Sequence, residues 1–124
     1  MNSIPVVETL PVTLQTKDIV LAFIKALNID DLVTARTCVW DNMTFTSVLS
    51  NRKGADNYFE DLTKMQFKYD IKKIFAAGED VCMLYDYTIS GVCLFACGWY
   101  LVQGGKISSI RILYDPRPVL DLSA

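Results

Sequence analysis

Apolar residues recur at helical spacing in the first half of this chain and at alternate positions in much of the second half. Four of them share one face of the first predicted helix: Val20, Phe23, Ile24 and Leu27. Thr16 stands where an N-cap is expected, and Asn28 is suited to end the helix. The pattern predicts a helix from Thr16 to Asn28 after an N-terminal arm over residues 1–15.

Two further helices are predicted before the pattern changes. Asp30 is placed to cap a short second helix that runs to about Cys38, and Trp40 follows where the chain leaves that helix. A third helix is predicted from Ala55 to Met65. Its apolar side consists of Tyr58, Phe59, Leu62 and Met65.

Strand patterns lie between and after these helices. Residues 43–49 are rich in Thr, Phe and Val, and the polar segment 50–54 ends that strand. Alternating apolar positions then predict four consecutive strands, over residues 67–75, 81–89, 92–103 and 106–115. Pro116 and Pro118 end the last strand. Three N-terminal helices on one side of a mainly antiparallel sheet give an α+β fold class.

Two glycine-containing turns allow the strand pairing to be counted. If Ser90-Gly91 and Gly104-Gly105 are two-residue turns, the second one places Gly98 opposite Arg111. Side chains alternate, so one face should collect Met83, Tyr85, Tyr87, Ala96, Gly98, Tyr100, Arg111, Leu113 and Asp115. The other face should collect Cys82, Leu84, Asp86, Cys93, Phe95, Cys97, Trp99, Ile110, Ile112 and Tyr114. The first face is a candidate cavity wall, and the second is a candidate core or subunit interface.

The candidate chemistry lies on the first face. An acid held in an apolar cavity has its pKa raised by desolvation, so Asp115 is the candidate general base. Tyr85 and Tyr87 could donate hydrogen bonds to a carbonyl or enolate oxygen in a proton-abstraction reaction. Alternatively, Asp115 caps the turn before Pro116, and the tyrosines line a pocket without catalysis.

Other residues complete the predicted ligand-binding set: Arg111, Tyr58, Trp40, Tyr100 and Met83. Arg111 could anchor a ligand carboxylate, or it could pair across the sheet with Glu79 or Asp80. A one-residue bulge would reverse a strand and bring Asp86 beside Asp115 instead.

Composition and charge narrow the classes of function. Hydrophobic residues make up 52% of the 124 residues, so a ligand or a second subunit could cover apolar surface. The net charge of −2 argues against nucleic-acid binding. No apolar run has the length of a membrane span, and we expect a cytoplasmic protein. Because the chain has no histidine, neither a metal site nor a histidine-activated nucleophile is expected. No cofactor is expected either, and the four cysteines should be reduced thiols.

The end of the chain carries a family resemblance. The segment 97–107, Cys-Gly-Trp-Tyr-Leu-Val-Gln-Gly-Gly-Lys-Ile, is followed by Tyr114-Asp115, and Lys53-Gly54-Ala55-Asp56 opens the third helix. With the order of elements, these residues resemble the SnoaL-like branch of the nuclear-transport-factor-two-like superfamily. The resemblance covers roughly residues 16–116, and we expect a domain at 16–118 followed by a tail at 119–124.

The resemblance implies a strongly curved sheet wrapped around three helices, as in the cystatin-like or cone α+β barrel folds. It also implies an apolar pocket for a small organic ligand and commonly a homodimer through the outer sheet face. Members include isomerases, polyketide cyclases, epoxide hydrolases and binding domains without a reaction. Asp115 matches the family's acid at the end of the last strand, whereas Tyr85 and Tyr87 stand where the hydrolases carry an arginine and a second aspartate. Epoxide hydrolysis by the family mechanism is therefore not expected. A cofactor-free isomerase or cyclase is the predicted reaction class, and a non-catalytic ligand-binding or dimerisation domain is the alternative.

Overall fold

The computed structural model describes the backbone of residues 4–120 and the side chains of residues 15–120. Its helices are α1 (Ile4–Asn28), α2 (Leu32–Thr37), α3 (Ala55–Lys64) and α4 (Arg117–Leu120). Its strands are β1 (Val39–Ser47), β2 (Asn51–Lys53), β3 (Phe67–Ala77), β4 (Asp80–Ile89), β5 (Val92–Gln103) and β6 (Lys106–Tyr114). The helices pack against a six-stranded sheet, which confirms the predicted α+β class.

The sheet is mixed, with the strand order β2-β1-β6-β5-β4-β3. Strands β3 to β6 form an antiparallel meander, and β1 pairs in parallel with β6. The last strand, β6, therefore lies next to the first strand, β1. This pairing places the end of β6 beside the hairpin of β1 and β2.

The ends of the first two helices differ from the sequence prediction. Helix α1 begins at Ile4, so Thr16 lies inside it, where it is buried, and the predicted cap at Thr16 is wrong. Residues 4–15 of the predicted arm are therefore helical, whereas residues 1–3 and 121–124 lie outside the described residues. The cap of α2 is Asp31, whose carboxylate accepts a hydrogen bond from the Thr34 amide, rather than Asp30.

The C-terminal end of α1 is fixed to the edge strand β3. Asn28 Nδ2 donates to the Tyr69 carbonyl at 2.8 Å, and Asn28 Oδ1 accepts from the Tyr69 amide at 2.8 Å. The side-chain amide thus pairs with the strand as a neighbouring backbone would. Lys68 adds hydrogen bonds to the Asn28 carbonyl and to Asp30.

The register of the first hairpin matches the count from its turn. Ser90 and Gly91 both have positive φ, and Tyr85 pairs with Ala96 as predicted. The inward placement of the β4 and β5 residues is confirmed, since these side chains are buried: Met83, Tyr85, Tyr87, Ala96 and Tyr100.

The register of the second hairpin changes after its turn. Gln103 pairs with Lys106 as expected, but the pairing shifts by one residue between Val102 and Leu101, which leaves Ser108 as an extra residue in β6. The Ser108 hydroxyl donates to the Leu101 carbonyl at 3.3 Å and to Gln103 Oε1 at 3.0 Å. From this bulge onward, every side chain of β6 faces the side opposite to the prediction.

The bulge corrects the two predicted faces. Ile110, Ile112 and Tyr114 face the core side, and Ile110 and Ile112 are fully buried. Arg111, Leu113 and Asp115 lie on the outer side, where Arg111 pairs with Trp99 and not with Gly98.

Candidate functional site

A cavity of about 100 Å³ opens between α3 and the open end of the sheet. Most of the side chains that line it are apolar or aromatic. They are Phe45, Ser47, Leu49, Ser50, Tyr58, Asp61, Leu62, Met65, Phe67, Tyr87, Ile89, Tyr114 and Val119. We call this space the α3 cavity. Its size suits a single-ring molecule or a few water molecules.

The local sequence of α3 explains one wall of the cavity. Asp61 and Leu62 follow Tyr58 by three and four residues, so the three share one face of the helix, and Met65 comes directly after its end. Gly54 precedes the helix with φ +88, and its amide bonds to the Met43 carbonyl of β1. That contact seats the start of α3 against the sheet and turns this face toward the cavity.

Aromatic pairs form the floor. The rings of Phe45 and Tyr58 stack at 4.6 Å between centroids, and those of Phe67 and Tyr87 stack at 5.6 Å. Tyr114 contacts Tyr87 at 5.8 Å with its ring inclined at 60°. Aromatic surfaces packed this closely give a rigid apolar wall.

Five buried tyrosines, two of which also belong to this floor, fill the centre of the fold: Tyr58, Tyr69, Tyr85, Tyr87 and Tyr100. We call them the phenol cluster. The hydroxyls of Tyr85 and Tyr100 lie 3.0 Å apart and share a hydrogen bond. Among the described residues, every buried side-chain nitrogen or oxygen has a hydrogen-bond partner. The cluster is thus a satisfied polar network within the core.

Gly98 supplies the space that this network needs. A Cβ at this position would lie 2.5 Å from the Tyr85 hydroxyl oxygen and 2.8 Å from Cε1 of Tyr100. The sheet face that carries Gly98 was predicted to be a cavity wall. The structure instead fills that room with two phenol groups.

The phenols of the cluster are held in the neutral form. Burial, the largest cause, raises the pKa of Tyr58, Tyr85, Tyr87 and Tyr100 well above the ordinary value, and it also raises the pKa of Tyr69. Tyr58 and Tyr87 also line the cavity, and their hydroxyls are hydrogen-bonded to the Tyr69 hydroxyl. In the neutral form these groups are hydrogen-bond donors and do not serve as bases near neutral pH.

A charged pair lies at the edge of the α3 cavity. Among the described side chains that line the cavity, Asp61 carries the only charge. Arg52 of β2 holds this carboxylate through two hydrogen bonds, Nε to Oδ2 at 2.8 Å and Nη2 to Oδ1 at 3.0 Å. Hydrogen bonding to the Asp61 carboxylate raises the pKa of the Arg52 guanidinium.

Three of the predicted residues are buried but do not line the cavity. Tyr85, Tyr100 and Met83 are fully enclosed in the core. Of the eight predicted site residues, Tyr58 and Tyr87 do line it. The C-terminal end of β4, at Tyr87, therefore does form a cavity wall as predicted. The middle of β4 is instead filled by packed core side chains.

The structure places Asp115 outside the cavity. Its carboxylate accepts hydrogen bonds from the backbone amide of Arg117 at 3.1 Å and from Arg117 Nε at 3.0 Å. Hydrogen bonding to Arg117 lowers the pKa of Asp115, whereas a general base in an apolar site was expected to have a raised pKa. The predicted inward placement of Asp115 is wrong because of the Ser108 bulge, and the alternative role as a cap after the strand matches these contacts.

Arg111 and Trp40 also lie away from the cavity. The Arg111 guanidinium lies 5.8 Å from the ring centroid of Trp99 on the outer face, and among the described residues it forms no ion pair with Glu79 or Asp80. Trp40 donates from Nε1 to the Gln103 carbonyl at 2.6 Å, and Lys106 lies over its ring. Trp40 therefore supports the turn between β5 and β6 and does not line the α3 cavity.

Sequence reasoning missed Asp61, Phe45 and Phe67 as cavity residues. Asp61 could have been found, because it falls on the predicted apolar stripe of the third helix, where a charged residue is unexpected. No comparable pattern marks Phe45, because its position depends on the parallel pairing of β1 with β6.

The described part of the chain gives no sign of a metal site or a membrane helix. No group of three or more potential metal ligands comes together among these residues. None of their helices combines the length and the apolar character needed to cross a bilayer. The four cysteines are free thiols, with Cys93 exposed and the others half-buried.

A curved mixed sheet packed against helices, with an apolar cavity at its open end, defines this chain as a cone-type α+β protein. Its structure is similar to that of an NTF2-like protein of unknown function from Cytophaga hutchinsonii, with a TM-score of 0.83 and 39% identity over 85% of this chain and 94% of the other. The chain belongs to the NTF2-like family, as the sequence resemblance predicted.

More distant structures share the fold. An LEH-like epoxide hydrolase from M. tuberculosis aligns with a TM-score of 0.80 and 23% identity over 88% of this chain and 89% of the other. A candidate SnoaL-like polyketide cyclase from Shewanella putrefaciens aligns with a TM-score of 0.73 and 16% identity over 86% and 84%. No protein-family model matches the sequence. No curated protein matches it either.

Proposed function

We propose that this chain binds a small, largely apolar organic molecule in the α3 cavity. The observation that carries the proposal is a mainly apolar, aromatic-walled space that opens to the surface beside hydrogen-bonding groups. Cavities of this kind bind ligands through apolar burial, while a few polar groups fix their orientation. Tyr58 and Tyr87 are the ligand-binding residues of this proposal.

Binding without a reaction is the form of this function that we favour. Proton abstraction beside a carbonyl requires a base close to the ligand. Asp115 is engaged by Arg117 outside the cavity, and Asp61 is already paired with the Arg52 guanidinium through two hydrogen bonds. The neutral phenols can polarise an oxygen, but they leave the predicted isomerase or cyclase scheme without its base.

A cavity-filling variant tests the proposal. Wild-type protein and Leu62→Trp are screened by thermal shift against toluene, small terpenoids and small aromatic ketones, because a ligand that binds the native state raises its Tm. We expect stabilisation of wild type that is lost in Leu62→Trp. Val33→Trp, on the exposed surface of α2, is the matched control and should retain the shift. Equal shifts in all three proteins, or none in wild type, would refute the proposal.

We also propose that two copies associate through the outer sheet face. Phe95, Leu113 and Phe75 are about 60–65% exposed there, beside Trp99. A contiguous apolar patch of this kind is typical of an interaction surface. A second copy is the partner that the family resemblance favours.

The oligomeric state tests this second proposal. Sedimentation velocity should give a dimer for wild type and a monomer for Phe95→Glu, because an introduced charge would be buried twice in a symmetric interface. Val33→Glu is the control and should remain dimeric. A wild-type monomer at all concentrations would refute the proposal.

A further inference from the structure

Asp61 is a charged residue on a helix face of α3 whose other cavity-lining residues are apolar or aromatic. It lies between Tyr58 and Leu62 on the helix face that lines the α3 cavity, and its side chain is 26% exposed. A carboxylate on such a face costs desolvation free energy unless it is paired. Arg52 provides that pairing.

Arg52 and Asp61 differ in their position relative to the α3 cavity. Arg52 is exposed and is not among the residues that line the cavity, whereas Asp61 is. The cation of this pair thus stands outside the cavity lining, and the acid belongs to it. Each carboxylate oxygen accepts one hydrogen bond from Arg52, and each has capacity for a second.

We infer that Asp61 is a specificity residue that accepts a hydrogen bond from a hydroxyl group on the ligand. The inference rests on the proposed binding function and adds the class of ligand: a small alcohol with an apolar ring or chain. The apolar part lies against Tyr58 and Leu62, and the hydroxyl points to the edge of the cavity. The Arg52–Asp61 pair is neutral overall, and its cavity side presents an acceptor, so a hydroxyl donor is favoured over an ether or a hydrocarbon.

The experiment compares three probes of similar shape: toluene, benzyl alcohol and benzyl methyl ether. Binding is measured by protein-detected NMR titration of wild type, Asp61→Leu, Arg52→Gln and Asp56→Leu. Asp61→Leu removes the acceptor at nearly constant size. Arg52→Gln breaks the ion pair but keeps the carboxylate. Asp56 lies on the same helix and is exposed, so Asp56→Leu is the matched control.

We expect Asp61→Leu to weaken benzyl alcohol binding about tenfold, as for the loss of a hydrogen bond to a charged group. Toluene binding should change by less than about twofold, because the apolar contacts remain. Arg52→Gln and Asp56→Leu should keep the wild-type preference for the alcohol. In wild type, the alcohol should bind more tightly than its methyl ether, which lacks the donor.

The outcomes separate the two proposals. If toluene binds but Asp61→Leu leaves alcohol binding unchanged, the role of Asp61 is overturned and the binding function stands. If Asp61→Leu does not fold, equal affinity of wild type for the alcohol and the ether overturns the role of Asp61 by itself. If none of the probes binds wild type, the binding function fails, and the inference fails with it.

Discussion

Replacing Gly98 by alanine should destabilise the protein, although alanine is usually the better residue in a strand. A new Cβ would lie 2.5 Å from the Tyr85 hydroxyl and 2.8 Å from Cε1 of Tyr100, which is closer than atoms approach in folded proteins. Both tyrosines are fully buried, so neither ring can move into solvent. The two hydroxyls, 3.0 Å apart, would have to separate or shift together.

The magnitude follows from two opposing effects. Overpacking a buried site costs about 1–3 kcal/mol, and loss of the hydroxyl pair adds about 1 kcal/mol. The lower conformational entropy of the unfolded alanine chain returns about 0.4–1 kcal/mol. Gly98→Ala should therefore lower the free energy of unfolding by about 2 kcal/mol. Cys93→Ala, on the same strand but exposed, is the control and should change it by less than about 0.5 kcal/mol.

The assay is urea denaturation followed by far-UV circular dichroism. Tyr85→Phe removes the atom nearest to the new Cβ, so Gly98→Ala should cost about 1 kcal/mol less in that background, a coupling that a double-mutant cycle measures. The reasoning is refuted if Gly98→Ala is neutral or stabilising. It is also refuted if the cost is the same with and without the Tyr85 hydroxyl.

Two further predictions concern the phenol cluster and the junction of α1 with the sheet. Burial raises the pKa of the cluster phenols above the value near 10 of the unfolded chain, so their contribution to the free energy of unfolding should be constant below pH 10 and fall as the pH rises above it. Absorbance at 295 nm and circular dichroism, recorded on one alkaline titration, should show these five phenols ionising only as the fold is lost. Because Tyr114 lies outside the cluster, ionisation of more than one of the six tyrosines near pH 10 in folded protein would contradict this. Asn28→Ala should cost about 2–3 kcal/mol in urea denaturation, because it leaves the backbone amide and carbonyl of Tyr69 without partners. Asn57→Ala, which removes one exposed hydrogen bond to Lys53, should cost less than about 1 kcal/mol, and equal losses would argue against the role of Asn28.

The sequence was sufficient for the parts of the fold that local chemistry decides. Ser90-Gly91 sets the register of β4 and β5 through two residues with positive φ, and the apolar stripe of α1 is buried as expected. Helix α3 was found within one residue of its end. These features depend on neighbours close in sequence.

The features that the sequence could not give depend on distant partners. The bulge at Ser108 is stabilised by bonds to Leu101 and Gln103 across the hairpin, and no local pattern distinguishes it from a regular strand residue. The parallel pairing of β1 with β6 brings Phe45 opposite Ile110. The predicted cavity wall was wrong in β6 for this reason, whereas Tyr58 and Tyr87 do line the α3 cavity.

The extra residue in β6 separates the register set by the turn from the register of the buried residues beyond it. Deleting Ser108 would join Ile107 directly to Ser109, so Ser109 would still pair with Leu101, and Ile110 and Ile112 would still face the core. Substitutions at Arg111, Leu113 or Asp115 also leave the buried alternation intact. Among related sequences, this strand should therefore occur both with and without the bulge residue, while the positions of Ile110 and Ile112 stay apolar.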